Sequence, residues 1–327
     1  MRKKMLAVAD RQRPSQSFTV GSLARSQTCG AFMLSAAARI GYVETEMTLQ
    51  SLILLALRAS IVLSVFAIGL EARFGDAAYL LRRPGLLVRS ALAMNVVMPI
   101  VAAAMALWFD LPEAAEVSLV ALAVSPVPPV LPKKQIKARG ESSYAIGLLV
   151  GAAAVAVVFV PLAVELLGLT FKTPVHISPW PIAKLVLATV LAPLAAGMLA
   201  GRLAPELAAR FARPVALIAS LALAVAFLAV LLTAWPSIVA LAGSGALRAI
   251  AAFVLIGLAV GHFCGGPDPH HRTVLALATA TRHPGVAMAI GSASFPGQKA
   301  VLPILLLYLV AGAVLTVPYV MWRTRVG

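Results

Sequence analysis

The chain has 327 residues, 61% of them hydrophobic and 12% charged. A soluble domain typically carries roughly 25% charged residues, so the composition excludes one and points to an all-α polytopic membrane protein. The formal charge of +15 would suggest nucleic acid in a soluble chain. Here the basic residues mostly occupy short gaps between apolar runs, so the expected partner is a lipid bilayer and not nucleic acid.

Residues 1–47 carry seven Lys/Arg, several Ser and no apolar run of spanning length. They read as a disordered basic tail or as a start placed upstream of the real one at Met47; the composition also resembles an organellar transit peptide. From Thr48, nine candidate spans follow, at about 50–70, 86–108, 115–132 (broken), 142–167, 181–201, 213–234, 247–265, 273–293 (broken) and 300–322. Pro and Gly punctuate the gaps, as in "RRPG", "FDLPE", "KTPVHISPWP" and "GGPDPHH". Cys29 and Cys264 are the only cysteines, too few for a disulfide framework or a cysteine metal site.

Basic residues collect in alternate gaps. Arg73, Arg82, Arg83, Lys137, Arg139, Arg202, Arg210, Arg213, Arg272, Arg323 and Arg325 fall on one side, Lys172 and Lys299 on the other. The first side is expected to be cytoplasmic, with the C-terminus there, in a bacterial inner membrane. Residue 47 then lies outside, a placement that the basic tail opposes.

Two spans are interrupted. The third contains "AVSPVPPVLPKKQIKARG", where Pro126, Pro128, Pro129 and Pro132 oppose a regular helix. The eighth contains "ALATATRHPGVAMAIG", with Arg282, His283, Pro284 and Gly285 at its middle. Lys133 and Lys134 adjoin the first break, and Arg282 the second. The third span is second from the end of a first half, 48–167, and the eighth second from the end of a second half, 168–327. Paired broken helices in inverted halves point to a transporter site at the membrane midplane; the alternative is two proline kinks without function.

The stretches "FAIGLEARFGDAAYLLRRPGLL", "NVVMPI", "DLPEAAEVSLVALAVSP" and "ARGESSYAIGLLVG", with "ALATATRHPGVAMAIG" in the second half, resemble the bile acid:sodium symporter family over about residues 50–322. The resemblance implies an inverted-repeat fold in which two broken helices cross in a core domain beside a panel domain. The family usually has ten helices, and this chain is similar to members that lack the first. The resemblance also implies two sodium sites built from side-chain oxygens. At the matching positions this chain has Leu131, Pro132, Ala145, Leu149 and Ala278, with Arg282-His283 replacing a Gln-Asn pair and Met94 replacing a glutamine beside Asn95.

Sodium needs several oxygen ligands, by analogy with other hard cations, and no Asp or Glu lies near the middle of any span. The expected protein is therefore a secondary transporter that moves a small organic anion by alternating access, with fixed cations replacing sodium. Arg282 either meets the substrate or serves as an architectural counter-charge to helix ends. The alternatives are an ordinary sodium:organic-anion symporter and a non-transporting membrane sensor on the same fold. No catalytic or cofactor motif is present, so neither catalysis nor a cofactor is expected, and sodium coupling is not expected. A proton carried by His283 is an alternative coupling ion, against a buried, hydrogen-bonded histidine. Asn95 is a candidate cavity-lining residue or an interhelical hydrogen-bonding one. His270 and His271 with Asp268 form a weak metal signal without a closed ligand set. Cargo, stoichiometry and oligomeric state are not legible in the sequence.

Overall fold

The computed structural model describes residues 51–109, 111–170, 178–242, 245–294 and 300–326. The tail at 1–47, Lys172 and Lys299 lie outside them. All regular structure among the described residues is helical. Seven helices are long and apolar enough to cross a membrane: α1 (Ser51–Glu71), α2 (Pro84–Trp108), α5 (Ser142–Thr170), α6 (Pro179–Leu203), α7 (Pro205–Ala242), α8 (Ala246–Cys264) and α11 (Val301–Val326). The chain is thus a polytopic all-α membrane protein.

The third and eighth candidate spans are each two shorter helices. The third is α3 (Glu113–Val124) and α4 (Leu131–Lys137), and the eighth is α9 (Pro269–Ala280) and α10 (Pro284–Ser294). Twelve residues of α-helix reach only about 18 Å, well short of a hydrocarbon core about 30 Å thick. The breaks differ in detail from the sequence expectation. Pro126, Pro128 and Pro129 lie in the non-helical link, whereas Pro132 sits in the first turn of α4 and Pro284 opens α10. A first-turn proline loses no helical hydrogen bond, because that N–H has no partner in any helix.

Close packing of small residues positions the second broken span. Gly257, Gly261 and Gly265 repeat every four residues at α8 and its end, forming one stripe. A Cβ on Gly257 would lie 2.9 Å from the Ala280 Cα and the Thr279 carbonyl, so only glycine lets α9 approach. Thr279 Oγ1 donates to the Gly257 carbonyl at 2.6 Å across this contact. The Gln135 amide of α4 donates to the Val274 carbonyl of α9 at 2.8 Å and joins the two interrupted spans.

Two of the long helices carry a π turn, at 93–97 in α2 and 187–191 in α6. α7 has 38 residues, about 57 Å of helix. It extends past both ends of the sequence-based span at 213–234 and carries Arg210 ahead of it and Arg213 at its edge.

Candidate functional site

The two breaks meet. The His283 N–H donates to the Pro126 carbonyl at 2.9 Å, tying one non-helical link directly to the other. Freed backbone groups at membrane depth need protein partners or water, and here protein supplies them. The Tyr308 hydroxyl of α11 accepts the Arg282 N–H at 2.7 Å and donates to the Ala280 carbonyl at 2.9 Å, so one side chain serves both sides of the second break. Tyr308 is itself buried, edge-on to Phe253 of α8.

Arg282 is 0% exposed. Its Nη1 donates to the Ser125 carbonyl at 3.2 Å, at the C-terminal end of α3, and its Nη2 donates to the Met94 carbonyl of α2 at 2.6 Å. Both acceptors are neutral backbone oxygens. A helix C-terminus carries roughly half a negative charge, and this end of α3 faces the guanidinium. The Nε of Arg282 has no hydrogen-bond partner among the described residues.

His283 has a local role. Its Nδ1 accepts the N–H groups of Gly285 at 3.1 Å and Val286 at 3.4 Å. These are the second and third residues of α10, with Pro284 first, so the imidazole acts as its N-cap. A ring that accepts at Nδ1 carries its proton on Nε2; protonating Nδ1 removes the cap.

The remaining candidates disperse. Lys133 Nζ lies 3.5 Å from the Ala216 carbonyl and the Ser220 Oγ of α7, and Lys134 Nζ bonds the Thr316 hydroxyl of α11. Neither lysine shares these partners with Arg282. Pro129 is buried in the first link, Pro132 is buried on α4, Gly285 lies exposed on α10, and Asn95 is half-buried on the π turn of α2. In α2 it is the Met94 backbone, and not the Asn95 side chain, that reaches Arg282. Leu131, Ala145, Leu149 and Ala278 are all buried apolar side chains, with no oxygen to offer a cation.

The possible metal ligands have other partners. Asp268 accepts the His270 N–H at 2.8 Å as the cap of α9, and His270 Nδ1 donates to the Arg139 carbonyl at 2.5 Å. His271 Nε2 shares a hydrogen bond with the Tyr79 hydroxyl at 3.0 Å. Tyr79 lies in the connection between α1 and α2, and burial pushes its hydroxyl above the ordinary value. Among the described residues no three His, Cys, Asp or Glu side chains group as a metal site. An open cavity of about 700 Å³ lies between the ends of α1, α6 and α7, with Glu71, Arg73 and Arg202 in its lining.

Sequence reasoning missed Tyr308, the Ser125 carbonyl and the π turn. Only the last left a signal: a proline, Pro99, inside the otherwise apolar run "NVVMPIVAAAM".

Long apolar helices beside interrupted ones that meet at their breaks define an integral membrane protein of transporter type. The chain belongs to the Sodium Bile acid symporter family, whose profile matches residues 59–241, more than half of its length. It is accordingly a membrane transporter of the bile acid:sodium symporter type. The matched stretch includes Met94, Ser125 and Lys133 and stops before Arg282 and His283. No curated protein matches the chain in a sequence search.

Proposed function

We propose that this protein moves a small organic anion by alternating access without a sodium ion, the Arg282 guanidinium acting as the fixed cation of the crossing. One observation carries the reading: a fully buried guanidinium bonded to the carbonyls of Met94 and Ser125. Carbonyl oxygens are the ligands a hard cation would seek, and here a tethered cation already holds them. The apolar side chains at Leu131, Ala145, Leu149 and Ala278 support the same reading. Arg282 is sealed from solvent, so the anion is met elsewhere. Lys133, half-buried at the boundary of α4 and α7, and Arg73 and Arg202 in the open cavity supply positive charge for it. The expected setting is a bacterial inner membrane.

The test is counterflow of labelled organic anions in proteoliposomes, with sodium exchanged for choline at constant ionic strength. Flux is expected to be unchanged by the exchange. A saturable, sodium-specific stimulation in the millimolar range would falsify the coupling.

A further inference from the structure

We infer that Pro99 is a positioning residue for the fixed cation, acting through the π turn of α2; the inference rests on the reading of Arg282 above. In a regular helix the Met94 carbonyl would accept from the N–H four residues on, at Met98. In this helix the Met98 N–H donates to Ala93 instead, five residues back. The next candidate donor to Met94 is residue 99, a proline with no N–H. The Met94 carbonyl therefore lacks both of its possible helical donors, and Arg282 Nη2 takes it at 2.6 Å. The proline ring also crowds the carbonyl four residues before it, at Asn95, which holds the turn wide. π turns of this kind place backbone groups where a regular helix cannot.

Pro99 acts through the Met94 carbonyl, which Arg282 Nη2 holds. Pro99→Ala removes the crowding and lets the helix close, so that the Met98 N–H returns to Met94 and Arg282 loses its shorter carbonyl bond. Replacing a proline also loosens the unfolded chain. That effect is common to every background and cancels in a double-mutant cycle.

The experiment uses the full chain, purified and followed by thermal unfolding, with Pro99→Ala and Arg282→Met singly and together. The expected result is non-additivity. Pro99→Ala lowers the midpoint by about 3 °C or more when Arg282 is present, and by about 1 °C or less in the neutral Arg282→Met background. A second measurement uses methylguanidinium at millimolar concentration on Arg282→Ala. It should raise the midpoint of that variant and leave Arg282→Ala with Pro99→Ala unmoved, an outcome a merely structural proline would not produce. Additive midpoints, or rescue that ignores Pro99→Ala, overturn the inference. If Arg282→Ala does not insert, the cycle with Arg282→Met decides alone. Neither measurement involves sodium, so a sodium-driven flux would remove the proposed coupling without touching this result, and additivity here would leave that coupling standing.

Discussion

A guanidinium at membrane depth costs roughly 2.5–3.5 kcal/mol on insertion scales, and the chain offsets this with oxygens that cost nothing extra to bring there. The Ser125 carbonyl is freed from helical bonding by the end of α3, and the Met94 carbonyl by the π turn. Because no carboxylate among the described residues faces Arg282, its removal leaves two orphaned carbonyls and no orphaned charge. An orphaned buried acceptor costs about 1–3 kcal/mol, and a glutamine amide has donors for one of the two. Arg282→Gln should therefore destabilise by about 1–3 kcal/mol, less than the ~3–5 kcal/mol of a broken buried ion pair. Arg282→Lys keeps the charge but loses the planar fork that spans two acceptors, and should fall between glutamine and wild type. Denaturation midpoints of the three proteins in one detergent give the order, and wild-type stability in Arg282→Gln would make the cation incidental. The cation was legible in the sequence as a charge without a partner in an apolar run. Its partners were not, because they are backbone carbonyls, and a sequence does not print which carbonyls a turn will free. His283 was legible as either a proton carrier or a buried, hydrogen-bonded histidine; its Nδ1 accepts the first N–H groups of α10, a bonding role that the second reading allows.

The interrupted spans depend on close approach of their neighbours as much as on their prolines. α9 is held along α8 by Gly257, Gly261 and Gly265, and its far end delivers Ala280 to Tyr308. A Cβ on Gly261 would overlap the Leu275 carbonyl and the Ala276 Cα, both backbone atoms that cannot turn aside. Gly261→Ala should thus push α9 away from α8 and cost about 1–3 kcal/mol, the range of overpacking. Gly312→Ala on α11 is the control: its Cβ would lie an ordinary 3.9 Å from a Val254 methyl, and it should be nearly silent. Folded yield by fluorescence-detected size exclusion, with midpoints for both, makes the comparison; equal behaviour would mean that the α8–α9 contact is not a constraint. Periodicity marked where the long helices lie, since each is apolar over a spanning length. It misplaced the edges of the breaks because prolines mark two different things: Pro126, Pro128 and Pro129 end a helix, while Pro132 and Pro284 begin one.

Among the described residues, several connections between helices fall into two groups by contact as well as by charge. The Tyr79 hydroxyl meets His271, His270 meets the Arg139 carbonyl, and Arg323 Nη2 donates to the Pro269 carbonyl at 3.0 Å, so the connections at 72–83, 138–141 and 265–268 lie together with the last turn of α11. Away from these, Leu111, in the link after α2, approaches the Gly245 position before α8. That grouping is the one required if each interrupted pair crosses the bilayer once, together with the seven long helices. The first group carries Arg73, Arg82, Arg83 and Arg139, with Lys137 and Arg272 in the adjoining turns of α4 and α9, and short loops rich in Lys and Arg stay in the cytoplasm. The proposed arrangement therefore has nine crossings, with the C-terminus inside. Single cysteines test it in a chain whose own Cys29 and Cys264 are replaced by serine. Phe109→Cys and Arg325→Cys both alter exposed positions, the first in the link after α2 and the second in the last turn of α11. A membrane-impermeant maleimide should modify Phe109→Cys in intact spheroplasts and Arg325→Cys only after permeabilisation. The reverse pattern would invert the molecule. Labelling of both from outside would mean an even number of crossings between residues 109 and 325, and one of the interrupted pairs, but not both, would then enter and leave on the same side.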